Sequence, residues 1–355
     1  MKYLQNCWYV ALWGNDLAEG AVVQRRILGV PLAIYRDHEG HISALTNACP
    51  HRFAPLSEGK VTDEGMLQCP YHGLQFNAQG KCVHNPHGGG VIPRAAQVRA
   101  YAAVEKDGVI WVWMGNQTPD VDLIPDYPLL ADPTMLRSRM DWLCINARYE
   151  LVIENLLDLS HVGFLHDGIL GNRETAAAKI HVDQEQNRIR IGREMTNVTC
   201  PGLFDLLYRR DGGRVDMWTN ITWTAPATLI NDAGVVDVGE DKSAGTGIFG
   251  HHFLTPESEH TTLYHFCAVM QNPTPQASQE SVRQQLSDLR RKAFDEQDNV
   301  IIAAQQKALL DPAVDTSSPV LMDVDAGPVR FRRLLDRLIA AESEPPLSTE
   351  QPTSG

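Results

Sequence analysis

Two hydrophobic rhythms divide this chain. Up to about residue 115, short apolar runs recur between turn signals: PLAIYR, HISALTN, GMLQCPYHGLQFN and VIWVWMG, with DHEG and NAQG between them. Runs of this length, bounded by Gly, Asn and Asp, predict strands and an all-β unit. The stretch from Gly115 to Asp132 is rich in Asp and Pro and alternates little, which predicts a linker and a boundary between residues 118 and 119. From about residue 135, helical patterns over 149–160, 279–310 and 329–342 mix with strand-like runs such as RIRIGREMTNV and TTLYHFCAVM. That mixture predicts an α+β domain with an antiparallel sheet, extending over 119–342. VRFRRLLDRLIAAE has the spacing of an amphipathic final helix. The polar, Pro-rich remainder, 343–355, predicts a disordered tail.

Composition narrows the class. A chain of 355 residues is long enough for two domains with full cores. With 43% apolar and 21% charged residues it reads as a soluble globular protein. The net charge of −13 argues against nucleic acid as a partner, because phosphate binding needs clustered Lys and Arg. The first residues hold no apolar stretch long enough for a signal peptide or a membrane span. Seven Cys, an odd number scattered widely, do not form a secreted disulfide framework. They point to a reducing, cytoplasmic location.

Two of those Cys carry chemistry. Cys49-Pro-His51 is followed by Cys69-Pro-Tyr-His72. Two Cys and two His suit either zinc or a Rieske [2Fe–2S] cluster, in which two thiolates hold one iron and two imidazoles the other. Zinc fingers usually pair Cys with Cys and His with His. Here each loop supplies one of each, as a site with two irons requires. Pro50 and Pro70 stiffen the loops, and Gly73 allows a tight turn after the last ligand. The positions that carry a loop-tying disulfide in respiratory Rieske proteins match Ala54 and Tyr71 here, so the site suits the cytosol. Cys7, Cys82, Cys144, Cys200 and Cys267 have no spacing partner and read as core thiols.

The second half holds Glu154-Asn-Leu-Leu-Asp158-Leu-Ser-His161-Val-Gly-Phe-Leu-His166. Two His five apart are separated by about 500° on a continuous helix. Gly163 therefore predicts that the helix ends between them, with His161 on its last turn and His166 beyond. Two His and one carboxylate form the facial triad of O2-activating Fe(II) enzymes. The third donor must come from elsewhere: Asp298 in FDEQDNVIIAAQQ, with Asp295 and Glu296 as alternatives.

Taken together, Cys49/His51/Cys69/His72 followed by N-x2-D-x2-H-x4-H resembles the large subunit of Rieske non-haem iron oxygenases over nearly the whole chain. NCWYVALW, CPHRFAPLSEG, CVHNPHG and DAGPVRFRRLLDRLIAAE resemble a narrower group, the oxygenase components of vanillate O-demethylase, dicamba O-demethylase and toluenesulfonate methyl monooxygenase. The resemblance implies a Rieske domain over 1–118 and a catalytic domain of helix-grip type over 119–342. It implies a [2Fe–2S] cluster and mononuclear Fe(II) held by His161, His166 and Asp298, with Asn155 near the iron. Asp158 matches the acid that links a cluster-binding His of one subunit to an iron-binding His of the next, which implies a ring of like subunits, typically a trimer. Asn231 and His252 match the residues that hold the substrate carboxylate in the dicamba enzyme. Leu289 stands where that enzyme has an indole over the ring.

The chain has no G-x-G-x-x-G after a strand and no plant-type ferredoxin Cys run. It therefore needs a separate flavin and iron–sulfur reductase. The leading expectation is a terminal monooxygenase that uses O2 to O-demethylate a small aromatic acid such as vanillate. An aryl-methyl hydroxylase, a ring cis-dihydroxylating dioxygenase, and a Rieske electron carrier with no second chemistry are the alternatives.

Overall fold

The computed structural model describes residues 3–343; apart from Ser343, which ends the last helix, the predicted tail lies outside the described residues. Three small antiparallel sheets build the N-terminal part. Val109–Met114 lies between Cys7–Trp13 and Ala103–Lys106. Val22–Ile27, Val30–Arg36, Ile42–Thr46 and Ala100–Tyr101 form the second sheet. Four very short strands, Lys60–Val61, Leu67–Gln68, Gln75–Phe76 and Cys82–His84, form the third; the first Cys-Pro loop lies between Ile42–Thr46 and Lys60–Val61, and the second joins Leu67–Gln68 to Gln75–Phe76. Two turns use one device. Asp37 Oδ1 accepts from the N–H groups of Glu39 and His41, and Asn77 Oδ1 from those of Gln79 and Lys81. These are side-chain-to-backbone turns of the kind that Asp and Asn favour.

The C-terminal part is a seven-stranded antiparallel sheet. Its order is Asp141–Ile145, Thr262–Gln271, Thr246–Pro256, Thr228–Val236, Arg214–Thr224, Arg188–Thr199 and His181–Glu185. Part of the sheet meets the N-terminal sheets: Phe253, Cys267 and Val269 share a core with Trp8, Trp111 and Trp113, and the Thr255 hydroxyl donates to Val10 O over 2.6 Å. Helices pack against it elsewhere, with Phe331 of Ala326–Ser343 edge-on to Trp223 at 4.9 Å. Cover on both faces explains why TLYHFCAVM is one continuous apolar run.

The predicted linker is packed into the body of the protein. Ile124, Tyr127 and Leu130 are buried beside Trp111, and Trp8 Nε1 donates to Asp120 O over 2.7 Å. Each such buried side chain contributes about 1.5–3 kcal/mol, which orders a segment without a period of its own. The last helix begins at Ala326, earlier than the pattern predicts, with Pro328 in its first turn, where its missing N–H costs nothing. Among the described residues no helix is long and apolar enough to cross a membrane.

Candidate metal centres

The two Cys-Pro loops are built on one plan. Cys49 N–H donates to Ala54 O and Phe53 N–H to Cys49 O; Cys69 N–H donates to Leu74 O and Gly73 N–H to Cys69 O, all within 2.8–3.1 Å. The fifth residue of each loop has positive φ, 58° at Phe53 and 71° at Gly73. Gly73 adopts that conformation freely, whereas the tight loop imposes it on Phe53. Cys49 and Cys69 are buried, and the backbone N–H groups of His51 and Arg52 bond to the Cys49 sulfur. The imidazoles of His51 and His72 lie nearer the surface, with ring centroids 4.4 Å apart. Thiols inside and imidazoles outside suit the two poles of a two-iron cluster. Zinc would draw all four donors to one point. Among the described residues, such convergence occurs only at a different place, formed by His161, His166 and Asp298.

Helix Tyr149–Leu157 stops sooner than the pattern predicts. At Asp158 the backbone becomes extended, and Asp158 Oδ1 accepts from both the N–H and the hydroxyl of Ser160, at 2.7 and 2.5 Å. Local bonds of this kind compete with helix continuation. His161 therefore does not ride the last turn of that helix; it opens a separate 3₁₀ turn, His161–Gly163. Gly163 has a packing reason to be glycine, since a Cβ there would lie 2.5 Å from Asn172 O.

Asp298 approaches from the opposite side. Helices Glu280–Arg291 and Asn299–Leu310 are joined by a π-helical turn, Lys292–Asp298, with Asn299 N–H reaching back to Phe294 O. Such wider turns are frequent at functional sites. Asp298 Oδ1 lies 3.1 Å from His166 Nε2 and 3.6 Å from His161 Nε2. Asp295 instead pairs with Arg291 at 3.1 Å, and Glu296 is exposed. Asn155 Nδ2 donates to Asp298 Oδ1 over 3.1 Å. His166 Nδ1 stands 2.8 Å from Gln297 Oε1, a contact that places the ring proton on Nδ1 and leaves Nε2 free for a metal. Without metal, burial pulls His166 down, but Asp298 outweighs it and holds the imidazole above its usual range. Asp158 Oδ2 is 3.7 Å from His161 Nδ1, beyond hydrogen-bond length. Burial raises the Asp158 carboxyl, yet His161 and Ser160 outweigh it and hold it below the usual range.

These donors form one side of a cavity of about 80 Å³, whose other walls include Leu159, Phe204, Met217 and Phe294. Asn231 and His252 also line it. Asn231 lies directly across the strand pair from Gly250, and Gly250 and His252 share a face of their strand. His251 points the other way, toward Tyr127 at 5.6 Å between centroids and toward Phe249 O.

Known proteins match this arrangement along the whole chain. Residues 7–101 match the Rieske [2Fe-2S] domain family, and residues 145–341 match the family of the vanillate O-demethylase oxygenase C-terminal domain. The chain belongs to the Rieske oxygenases of the vanillate O-demethylase type. It is 35% identical to the oxygenase component of chloroacetanilide N-alkylformylase from Rhizorhabdus wittichii, over 97% of both chains. It is 32% identical to the oxygenase component of dicamba O-demethylase from Stenotrophomonas maltophilia, over 97% of this chain and 100% of that one. The crystal structure of dicamba monooxygenase bound to 3,6-dichlorosalicylic acid superposes with a TM-score of 0.90 at 30% identity, covering 97% and 100% of the two chains. As a Rieske oxygenase the protein is an oxidoreductase with an iron–sulfur domain and a catalytic domain.

Several residues of this Rieske oxygenase depart from the sequence-based expectations. Leu289 does not line the cavity; it is half-buried against the cluster around Leu203 and Phe204. One residue on, about 100° around the helix, Arg290 takes the wall position. Arg193 also reaches the cavity, with Nη1 donating to Thr175 O over 2.7 Å, and burial pulls its guanidinium down to about 10. Arg193 has no spacing signal and comes to the site through tertiary packing; Arg290 and Phe294 stand eight and four residues before Asp298, and Gln297 directly before it, so helical spacing from Asp298 could have found them. Cys144 is exposed rather than a core thiol, since Leu143 and Ile145 take the inward face of its edge strand. His87 Nε2 lies 2.8 Å from His72 O and supports the second loop from outside.

The cluster loops carry a direct test. His72→Cys should retain a red-brown cluster and lower its potential by on the order of a few hundred mV, because thiolate replaces neutral imidazole. Potentiometry followed by EPR reads the shift. A variant with unchanged potential would mean that His72 is not a ligand.

Proposed function

We propose that this oxygenase is the terminal component of a multicomponent monooxygenase that O-demethylates, or hydroxylates a methyl group of, a small aromatic acid such as vanillate or a related methoxybenzoate. Its electrons come from a separate flavin and iron–sulfur reductase, and it works as a homotrimer in the cytoplasm. One observation carries the reading: the His161/His166/Asp298 set and the polar side chains of Asn231 and His252 line one largely apolar cavity.

The donor set suits ferrous iron, since one carboxylate and two imidazoles leave further positions open. Bound there, iron supplies reductive activation of O2. The chain supplies the rest. Gln297 sets the His166 tautomer, and Asn155 orients Asp298. Asn231 and His252 anchor the acid end of the substrate, so its alkyl end faces the triad. The apolar walls exclude water. One oxygen atom of O2 enters a C–H bond, and the other leaves as water with two electrons and two protons. A hydroxylated methyl ether is a hemiacetal, which breaks into a phenol and formaldehyde.

Asp158, beside His161, is the acid that joins this site to the neighbour's cluster histidine in the ring of subunits. Labelled O2 and a panel of methoxybenzoates, toluenesulfonate and an N-alkyl anilide test the whole reading. A phenol with stoichiometric formaldehyde is expected from at least one methoxybenzoate. A cis-diol carrying two labelled oxygens would replace it with ring dihydroxylation.

A further inference from the structure

Arg290 is 3% exposed, and its Nε and Nη2 have no hydrogen-bond partner. Among the described residues no carboxylate lies within ion-pair distance of it, whereas the partly buried Arg332 pairs with Glu150 and Glu154. Its neighbours are aromatic, with the Phe294 and Phe266 ring centroids 5.1 and 6.0 Å from the guanidinium carbon. Such contacts recover only a small part of what it costs to bury an unpaired charge. A guanidinium kept in that condition on a cavity wall is completed by an anion from outside.

The strand opposite shows where that anion sits. A Cβ on Gly250 would lie 2.9 Å from His252 Nε2, 3.4 Å from Arg290 Nη1 and 3.5 Å from Asn231 Cβ. Glycine at this position thus lets three polar side chains draw together on one patch of the cavity wall. His252 Nε2 also lacks a partner. Asn231 Oδ1, an acceptor, lacks one too, so its carboxamide serves an anion only with Nδ2 turned to the cavity. Tyr264 Oη is 2.6 Å from His252 Nδ1. An imidazole that accepts there carries its proton on Nε2, and so donates into the cavity. A guanidinium, an imidazole N–H and a carboxamide together offer donors to a ligand that only accepts, which describes an oxyanion.

We propose that Arg290 is the charged seat for an aromatic oxyanion, carboxylate or sulfonate, in the cavity that it lines with Asn231 and His252, and that it restricts this oxygenase to anionic substrates. The proposal rests on the aromatic-acid reading above and makes it sharper: recognition works through charge, and a neutral ligand of the same shape leaves Arg290 uncompensated.

Calorimetric binding of benzoate, benzenesulfonate and benzamide to the anaerobic holoenzyme tests it, with Arg290→Met, Arg290→Lys and Gly250→Ala. Wild type should bind at least one of the two anions at least about 30-fold more tightly than benzamide. The tighter anion identifies carboxylate or sulfonate as the natural group. Arg290→Met should abolish that preference without weakening benzamide, and Arg290→Lys should restore part of it. Gly250 does not have a positive φ, but a Cβ 2.9 Å from His252 Nε2 pushes that buried ring aside, so Gly250→Ala should weaken the anions and also lower the melting temperature. The unliganded Arg290→Met protein should melt no lower than wild type, because an unpaired buried charge has been removed.

Equal binding of benzoate, benzenesulfonate and benzamide to wild type would overturn the proposal. So would an Arg290→Met variant that melts lower and loses all three ligands alike, since Arg290 would then be structural. If Arg290→Met loses anion preference while no methoxybenzoate yields formaldehyde, the demethylase reading fails and this one stands. If the variant demethylates an aromatic acid with wild-type kcat/KM, this one fails and the demethylase reading stands.

Discussion

Asp298→Ala is expected to strip the mononuclear iron and abolish turnover while the protein stays red-brown. Asp298 Oδ1 is the atom that brings His161 and His166 into one donor set, at 3.6 and 3.1 Å. It is also the only carboxylate of its turn with that position, since Asp295 is engaged with Arg291 and Glu296 is exposed. Loss of a residue that merely supports a metal ligand costs roughly 10–100-fold in metal affinity or activity, so loss of the ligand itself should exceed that range. Iron analysis should fall from about three to about two irons per chain, because the cluster ligands lie in the other domain. The matching control is Asp295→Ala. It removes a partly exposed ion pair worth about 0–1 kcal/mol and should retain its iron. If Asp298→Ala keeps its third iron and its turnover, and Asp295→Ala loses both, the assignment of the carboxylate is wrong.

Asp158→Asn should retain colour, mononuclear iron and subunit assembly, yet turn over roughly 10–100-fold more slowly. The substitution keeps the size of the side chain and removes its charge and its ability to accept from two imidazole N–H groups at once. The carboxylate stands 3.7 Å from His161 Nδ1, and that nitrogen has no other partner. It is held ionised, below the usual carboxylate range: burial opposes ionisation, but His161 and Ser160 outweigh it. Asn at this position can still accept from Ser160, so the local turn should persist. The diagnostic measurement is a single turnover of pre-reduced protein. With substrate and O2 added, the cluster absorbance of the variant should remain reduced long after wild type has oxidised. Cluster oxidation at the wild-type rate would leave Asp158 as no more than a helix-ending residue that bonds Ser160.

What could be read from the chain alone was whatever depends on residues close together in it. Each Cys-Pro loop closes on itself through bonds between its first and fifth or sixth residues, so Cys49, His51, Cys69 and His72 announce a cluster by spacing. His161 and His166 are close enough in sequence to be recognised as a pair. Strand alternation lets only one of His251 and His252 face the cavity, and which one depends on the pairing of Asn231 with Gly250. A shift of one residue in that register would exchange the two.

The remaining features were decided by tertiary structure. The helix containing Asp298 was legible as a period, but its π turn was not, because one residue added to one turn barely disturbs a pattern averaged over thirty. That helix nevertheless turns Arg290 rather than Leu289 toward the cavity together with Phe294 and Asp298. The segment 115–132 looked like a linker because the aromatic surface that buries Tyr127 comes from both domains. Arg193 reaches the site from a strand remote from both motifs, Gln297 directly precedes Asp298 but meets His166 only through packing, and Arg290 becomes exceptional only when burial is found to leave it without an acid. Spacing encodes groups that one short stretch of backbone can hold in place. Orientation, burial and the absence of a partner arise only when distant stretches pack together.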